Sequence, residues 1–317
     1  MNSPLEPRSP DAAGFVVLRD LEGSTAWIAP EQGAWLLRYA RFFLEHGPVD
    51  ALHFDWDVVE RYPSEMYAGS PVLFPLVSFN HLPGREHHVA WPTGVVPMPQ
   101  HGFARRRPWR VIDRAFGSVT LELTDDDVTR AQYPFAFSHR LTYRLAGGRL
   151  TWEQEIENRS PEPMPFASGF HPYFAAPLIP RGIRSECQIE IPPGRRFDPD
   201  PDWAGFRPAD WPARAWRVTD DLPGSLLLGD LERREVRYVD PAGELEVVLN
   251  WELAPAYRFL VLWTRSADSP FFCVEPWTAL PNVFRRAADD CLRLAPGEVH
   301  RAAFWMELRA LTAGADP

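Results

Sequence analysis

The chain reads as an all-β protein of antiparallel strands, and three observations carry that reading. Residues 137–157 alternate apolar and polar side chains with a period of two on either side of a glycine turn. Many further short segments share a strand-like character and are separated by turn signals, in keeping with 34 prolines and 20 glycines. No long stretch holds a helical stripe. Short strands joined by Gly/Pro turns make a sandwich or a barrel.

Taken in order, residues 1–12 form a polar, proline-rich tail, and residues 13–311 form one domain. A first strand is expected at 15–20. Residues 31–45 fit either a strand and turn or a short helix. The next strand is expected at 117–124. In 137–157, Phe137, His139, Leu141 and Tyr143 oppose Ser138, Arg140, Thr142 and Arg144. After Ala146-Gly147-Gly148, Leu150, Trp152, Gln154 and Ile156 oppose Thr151, Glu153, Glu155 and Glu157. That pattern is an antiparallel hairpin. Further strands are expected at 185–191, 233–239, 244–251, 258–264, 270–275 and 299–308. Asp240-Pro241-Ala242-Gly243 and Ala295-Pro296-Gly297-Glu298 mark turns between them. Residues 192–224, rich in Pro, Asp, Trp and Arg, read as a long surface excursion. Residues 312–317 form a C-terminal tail.

Composition excludes several functions. The net charge of −10 argues against nucleic acid and against an anionic membrane surface. All 33 basic residues are arginine. A P-loop lysine, a Schiff-base lysine and a lysine general base are therefore ruled out. Cys187, Cys273 and Cys291 form no CxxC pair and show no zinc spacing. Cys273 reads as a small apolar packing residue. No signal peptide and no apolar run of about 20 residues stands out, so a cytoplasmic protein is expected. Thirteen tryptophans are a heavy load; core packing explains most, and sugar stacking is the functional alternative.

Three distant segments carry proton-transfer chemistry: Pro99 to Arg105 with His101, Gly169 to Phe174 with His171, and Phe272 to Trp277 with Glu275. Two imidazoles and a carboxylate are what is needed to move a proton off one oxygen and onto another. Glu275 is a lone carboxylate in the run Phe271-Phe272-Cys273-Val274-Glu275-Pro276-Trp277. Burial there raises its pKa toward that of a base working near neutrality. Arg105, Arg106 and Arg107 read first as a solvated face and second as an anion clamp. His87 and His88, adjacent in an extended strand, point to opposite faces and cannot share a metal. Asp125-Asp126-Asp127 reads as an exposed turn, short of the ligands calcium needs.

Five motifs in order resemble the galactose mutarotase superfamily, the aldose 1-epimerases. They are Phe74-Pro75; His101-Gly102-Phe103-Ala104-Arg105 with Pro108-Trp109; Asn158 before Met164-Pro165-Phe166 and Gly169-Phe170-His171-Pro172-Tyr173-Phe174; Cys273-Val274-Glu275-Pro276-Trp277; and Leu294-Ala295-Pro296-Gly297-Glu298. The resemblance implies a galactose mutarotase-like β-supersandwich and a 1-epimerase without metal or cofactor. It implies Glu275 as the base at the C1 hydroxyl and His171 as the acid at the ring oxygen. His101 takes the sugar-binding position, with Arg105, Phe74, Tyr173 and Trp277 of the same motifs as further candidate contacts. The implied partner is a small sugar or sugar phosphate, with no nucleic acid and no membrane, in a monomer or homodimer.

The chain also departs from the pattern. Where relatives carry R-G-G-I-P, this chain has Tyr67-Ala68-Gly69-Ser70-Pro71. Arg85, Arg105, Arg106 and Arg107 are the candidates to compensate. Asp220, Asp221 and Asp230 are all candidates for the Asp upstream of the Asp240-Pro241 turn. A hexose-6-phosphate 1-epimerase and a non-catalytic carbohydrate-binding protein are therefore carried as alternatives.

Overall fold

The alternation in 137–157 becomes an antiparallel hairpin. Phe137–Ala146 pairs with Arg149–Asn158 from Phe137 opposite Asn158 to Ala146 opposite Arg149. Gly147 and Gly148 turn the corner at positive φ. The apolar set Leu141, Tyr143, Leu150, Trp152 and Ile156 is buried on one face. The computed structural model describes residues 10, 13–212, 214–218, 224–286 and 289–311. Apart from Pro10, the expected tails lie outside the described residues.

That hairpin is the centre of a nine-stranded sheet. Its spatial order is Arg214–Arg217, Gln188–Ile191, Glu235–Asp240, Leu245–Asn250, Val299–Ala310, Arg149–Asn158, Phe137–Ala146, Ser118–Thr124, Arg110–Ala115. A second large sheet runs Phe206–Trp211, Gly194–Pro199, Leu226–Gly229, Phe259–Trp263, Phe271–Trp277, Gly169–Phe170, Val72–Leu73, and Tyr173–Ala175 also pairs with Phe271–Trp277. All strand pairings in both are antiparallel. A four-stranded sheet, Val16–Arg19 to Gly47–Asp50, precedes them.

Rings lock the two large sheets together. Trp152 stacks on Phe304 within the first at 5.5 Å, and Phe170 of the second meets them at 5.7 and 5.0 Å. Each such buried side chain contributes about 1.5–3 kcal/mol. A polar network crosses the same interface. Gln154 donates to the Tyr257 hydroxyl, while its Oε1 lies 3.3 Å from both His139 Nε2 and Ser168 Oγ. The buried amide is thereby satisfied.

One open choice is settled and two expectations change. Residues 31–45 hold a 3₁₀ turn at Pro30–Gln32 and a strand at Trp35–Phe43, so the strand alternative holds. The 192–224 segment contributes three strands, Gly194–Pro199, Phe206–Trp211 and Arg214–Arg217, at the edges of both large sheets. Its prolines hid them because Pro is tolerated at sheet edges. The aspartates at 125–127 belong to a helix start: Asp126 forms a capping box with Thr129 over the helix Asp127–Gln132. Among the described residues, no helix is long and apolar enough to cross a membrane.

Residues 69–78 tie two distant loops together. The loop after Gln100 is held from this segment by Ala104 N–H to Phe74 O (3.1 Å) and His101 N–H to Ser78 O (2.6 Å). The loop around His171 is held by His171 N–H to Pro71 O (3.2 Å), Tyr173 N–H to Gly69 O (2.8 Å) and Ala167 N–H to Pro75 O (2.8 Å). Gly102 makes the first approach possible. It sits at φ 69°, and a Cβ there would collide with the Phe74 carbonyl. Gly102→Ala is expected to cost more than about 1–3 kcal/mol in urea unfolding, through steric clash and backbone strain. A wild-type midpoint would refute this close approach.

Candidate active site

The strand Phe271–Trp277 is buried along its whole length. Alternate residues of a strand share a face, so Cys273, Glu275 and Trp277 project together. Tyr173–Ala175 runs alongside with Tyr173 opposite Cys273, which brings His171 to the same floor. Glu275 Oε2 lies 3.2 Å from His171 Nε2, both side chains being under a tenth exposed. The Tyr173 hydroxyl is 3.4 Å from the same nitrogen, and its ring stacks on His171 at 4.5 Å. His101 closes the other side, its ring 5.3 Å from His171 and 5.7 Å from Trp277.

These groups line a cleft of about 440 Å³ with Tyr67, Ser78, Gln100, Arg105, Arg106 and Trp263. One wall is aromatic: Tyr67 stacks with Trp263 and Phe271 at 6.1 and 6.4 Å, and Trp263 stands edge-on to His171 at 6.2 Å. Such a wall offers apolar ring faces to a bound ligand. A larger groove lies elsewhere, lined by Trp91, Phe135 and Phe284, and contains none of the proton-transfer groups.

Burial dominates the electrostatics. It pushes the Glu275 carboxyl well above the ordinary carboxylate range, against the opposing pull of the Trp277 indole and the Arg105 guanidinium. Burial, then the charge of Arg105, hold His171 well below the ordinary imidazole value. His101 is lowered for the same two reasons. Arg105 itself is brought down to about 10, chiefly by burial, and remains cationic at neutral pH. Glu275 Oε2, His171 Nδ1 and Trp277 Nε1 are buried without a hydrogen-bond partner among the described residues; the 3.2 Å approach to His171 lacks hydrogen-bond alignment. Unpaired buried polar atoms in a cleft mark a place for a ligand.

The His101 tautomer follows from geometry. Ser78 N–H donates to His101 Nδ1 at 3.0 Å, so a neutral ring carries its proton on Nε2. Ser78 and His101 both sit at positive φ, 53° and 63°, backbone conformations that store strain at functional sites. His101 is thus a fixed donor.

The structure brings His101, Arg105, His171, Tyr173, Glu275 and Trp277 together. It does not bring Phe74. That ring is fully buried in the core, 5.1 Å from Phe137 and 5.0 Å from His139, and its role is to carry the His101 loop on its carbonyl. The arginine cluster also disperses. Arg107 pairs with Asp126 and Arg110 with Glu122, while Arg105 is buried in the cleft instead of solvated. Arg106 stays exposed at the cleft, with no ion-pair partner among the described residues. Asp230 pairs with Arg258 at 3.2 Å and does not line the cleft; Asp220 and Asp221 lie outside the described residues. Tyr67, Ser78, Gln100 and Trp263 are cleft residues that the sequence did not single out as such. Two of them left a signal: Gln100 lies within the Pro99-to-Arg105 segment, and Tyr67 stands at the head of the divergent Tyr67-Ala68-Gly69-Ser70-Pro71 stretch.

Comparison with known proteins agrees with this architecture. Residues 56–201 match the aldose 1-epimerase family. That segment contains His101, Arg105, His171 and Tyr173 but not Glu275. The chain is 24% identical over 245 residues to the chromosomal protein LacX of Lactococcus lactis subsp. lactis, covering 73% of this chain and 79% of LacX. Its fold matches the Slr1438 protein of Synechocystis sp. PCC 6803 with a TM-score of 0.78 at 24% identity, covering 98% of this chain and 99% of that one. It also matches a galactose mutarotase related enzyme from Lactobacillus acidophilus with a TM-score of 0.77 at 21% identity, covering 96% and 100%. The resemblance to the galactose mutarotase superfamily is borne out in fold and family match.

A raised buried carboxyl has a consequence for stability. Its contribution is fully present below the unfolded-state pKa and is lost as pH rises through the folded-state value. Glu275→Gln removes that loss. The variant is expected to melt progressively higher than the wild type as pH is raised from acid through neutrality. Parallel pH–Tm curves for the two proteins would contradict the burial argument.

Proposed function

We propose that this chain, which carries the galactose mutarotase superfamily fold, is an aldose 1-epimerase that interconverts the α and β anomers of an aldohexose. The observation that carries the reading is the buried His171–Glu275 pair at 3.2 Å on the floor of a sugar-sized cleft. A binding module needs shape and aromatic faces but no matched acid and base.

The pair holds one proton between two groups. In the dry floor burial favours the neutral arrangement, with the proton on Glu275. Once a seated sugar aligns the two side chains, transfer across the 3.2 Å gap gives carboxylate and imidazolium with no change in proton count. Glu275 then takes the proton of the C1 hydroxyl as C1=O forms. The bond from C1 to the ring oxygen breaks, its electrons go to that oxygen, and His171 protonates it. The C1–C2 bond rotates, and the reverse steps close the other anomer and restore both groups. Tyr173, held neutral by burial, and the Nε2–H of His101 donate to sugar oxygens. Arg105 steadies the charge that develops.

The phosphorylated alternative rests on one observation, the exposed Arg106 beside the buried Arg105. An anion-holding rim predicts a higher kcat/KM for glucose 6-phosphate than for glucose, falling with salt. It also predicts that Arg106→Ala removes the preference. Equal kcat/KM on both sugars would remove this alternative.

Polarimetry of freshly dissolved α-glucose and α-galactose tests the main reading. The wild type is expected to accelerate mutarotation, and Glu275→Gln to slow it by roughly 10²–10⁴-fold while staying folded. No acceleration on any aldose or aldose phosphate, with sugar binding retained, would leave the binding-only reading standing. The pH profile of kcat/KM should be bell-shaped, since activity needs one proton on the pair. The acid limb should lie below the ordinary histidine range, where His171 takes a second proton. The basic limb should lie above the ordinary carboxylate range, where Glu275 loses the only one.

A further inference from the structure

We propose that the cleft floor is also a binding site for a thiophilic divalent cation of the Zn²⁺ class, held by His171, Cys273 and Glu275, and that capture of the ion shuts the cleft to sugar. The ion is an inhibitor here, because it occupies the two groups that must exchange protons.

The geometry is that of a tripod. One imidazole nitrogen, the Cys273 sulfur and one carboxylate oxygen all lie within 4.8 Å of one another. Ligand atoms around tetrahedral zinc are separated by roughly 3.3–3.6 Å, given bond lengths of about 2.0–2.3 Å. The Nε2–Oε2 separation of 3.2 Å already matches one edge of that figure. Cys273 and Glu275 share a face of one strand, and His171 comes from the segment packed beside it, so two paired backbone segments hold the tripod. One observation marks the site as open to a ligand: Glu275 Oε2, the oxygen that faces His171 Nε2, is buried without a hydrogen-bond partner among the described residues.

The donor set selects the ion. One sulfur, one imidazole and one carboxylate suit zinc, and do not suit magnesium or calcium, which take all-oxygen shells. On capture the Cys273 thiol and the Glu275 carboxyl, both held protonated by burial, release their protons to solvent, and the thiolate and carboxylate then balance the two positive charges of the ion. Cys273 is fully buried in a cluster with Tyr173 and Phe271 and does not line the cleft, whereas Glu275 and His171 do. Entry is therefore from the sugar side, and a sugar seated there blocks it. The fourth position faces the cleft and is left to water, as in sites that keep one position open. Sequence spacing hid this site because no two ligands show a zinc-type interval; Cys273 and Glu275 are neighbours only on an extended strand.

The inhibition arm rests on the epimerase reading, but the binding arm does not, so the two can fail separately. The full chain, freed of metal with chelator, is titrated with zinc sulfate by calorimetry and with cobalt(II) by absorbance, and mutarotation is followed by polarimetry. The expected results are about one equivalent bound, a thiolate-to-cobalt band in the near ultraviolet, and zinc inhibition that excess sugar weakens and chelator reverses. Cys273→Ser is expected to keep metal-free turnover and to lose the band. Its zinc affinity should fall by more than the roughly 10–100-fold that losing an outer-shell partner costs. Zinc inhibition of this variant at wild-type concentrations would overturn the proposal. So would a cobalt-loaded wild type without a thiolate band, which would assign the ion to surface histidines such as His81 and His87. If Cys273→Ser does not fold, the band in the wild type decides alone.

Discussion

A carboxylate at the centre of a strand buried on all seven residues is the constraint on which the rest depends. Glu275 is 2% exposed, and an isolated charge there is costly. The protein meets that cost in two ways. The carboxyl keeps its proton more tightly than in water, and His171, Trp277 and Arg105 surround it with groups that stabilise the charge when it forms. Neither is possible on a sheet with a wet face. The floor needs a second layer beneath it, and the nine-stranded sheet supplies that layer through Trp152, Phe304 and the Gln154 network.

The second requirement is convergence. His101 and His171 are 70 positions apart in the chain, yet both hang from residues 69–78 by backbone hydrogen bonds. That segment carries few chemical groups of its own. Its importance lies in its carbonyls, which accept from His171, Tyr173, His101 and Ala104, and in the Ser78 N–H, which sets the His101 tautomer. The positive φ values at Ser78, His101 and Gly102 are what such close approach demands of the chain.

Several motif residues turn out to build the fold instead of the cleft. Phe74 is a core ring whose carbonyl receives Ala104. Asn158 donates to the carbonyls of Glu162 and Leu294, and its backbone pairs with Gly297 and Glu298, so it pins the Leu294-to-Glu298 turn. A motif residue and a cleft residue are thus different things, and sequence order alone does not separate them. Cys273 makes the converse point: read as packing, its sulfur lies within 4.8 Å of ligand atoms of both His171 and Glu275.

The sequence by itself determined the all-β class, the hairpin at 137–157, and the titratable side chains His101, His171 and Glu275 within their apolar, proline-marked segments. These are local properties. A period of two, a glycine turn, and a lone carboxylate among apolar residues are all visible within a window of a dozen residues. Only the tertiary structure decided which of those groups share a cleft. It put Arg105 inside and left Arg106 at the rim, tied Arg107 and Arg110 to acidic partners, withdrew Phe74 into the core, and added Tyr67 and Trp263 as a wall. Burial in that tertiary structure also favours the neutral forms of His171 and Glu275. Pairings and burial are non-local: they depend on which strands of two sheets face each other, and no spacing along the chain encodes that.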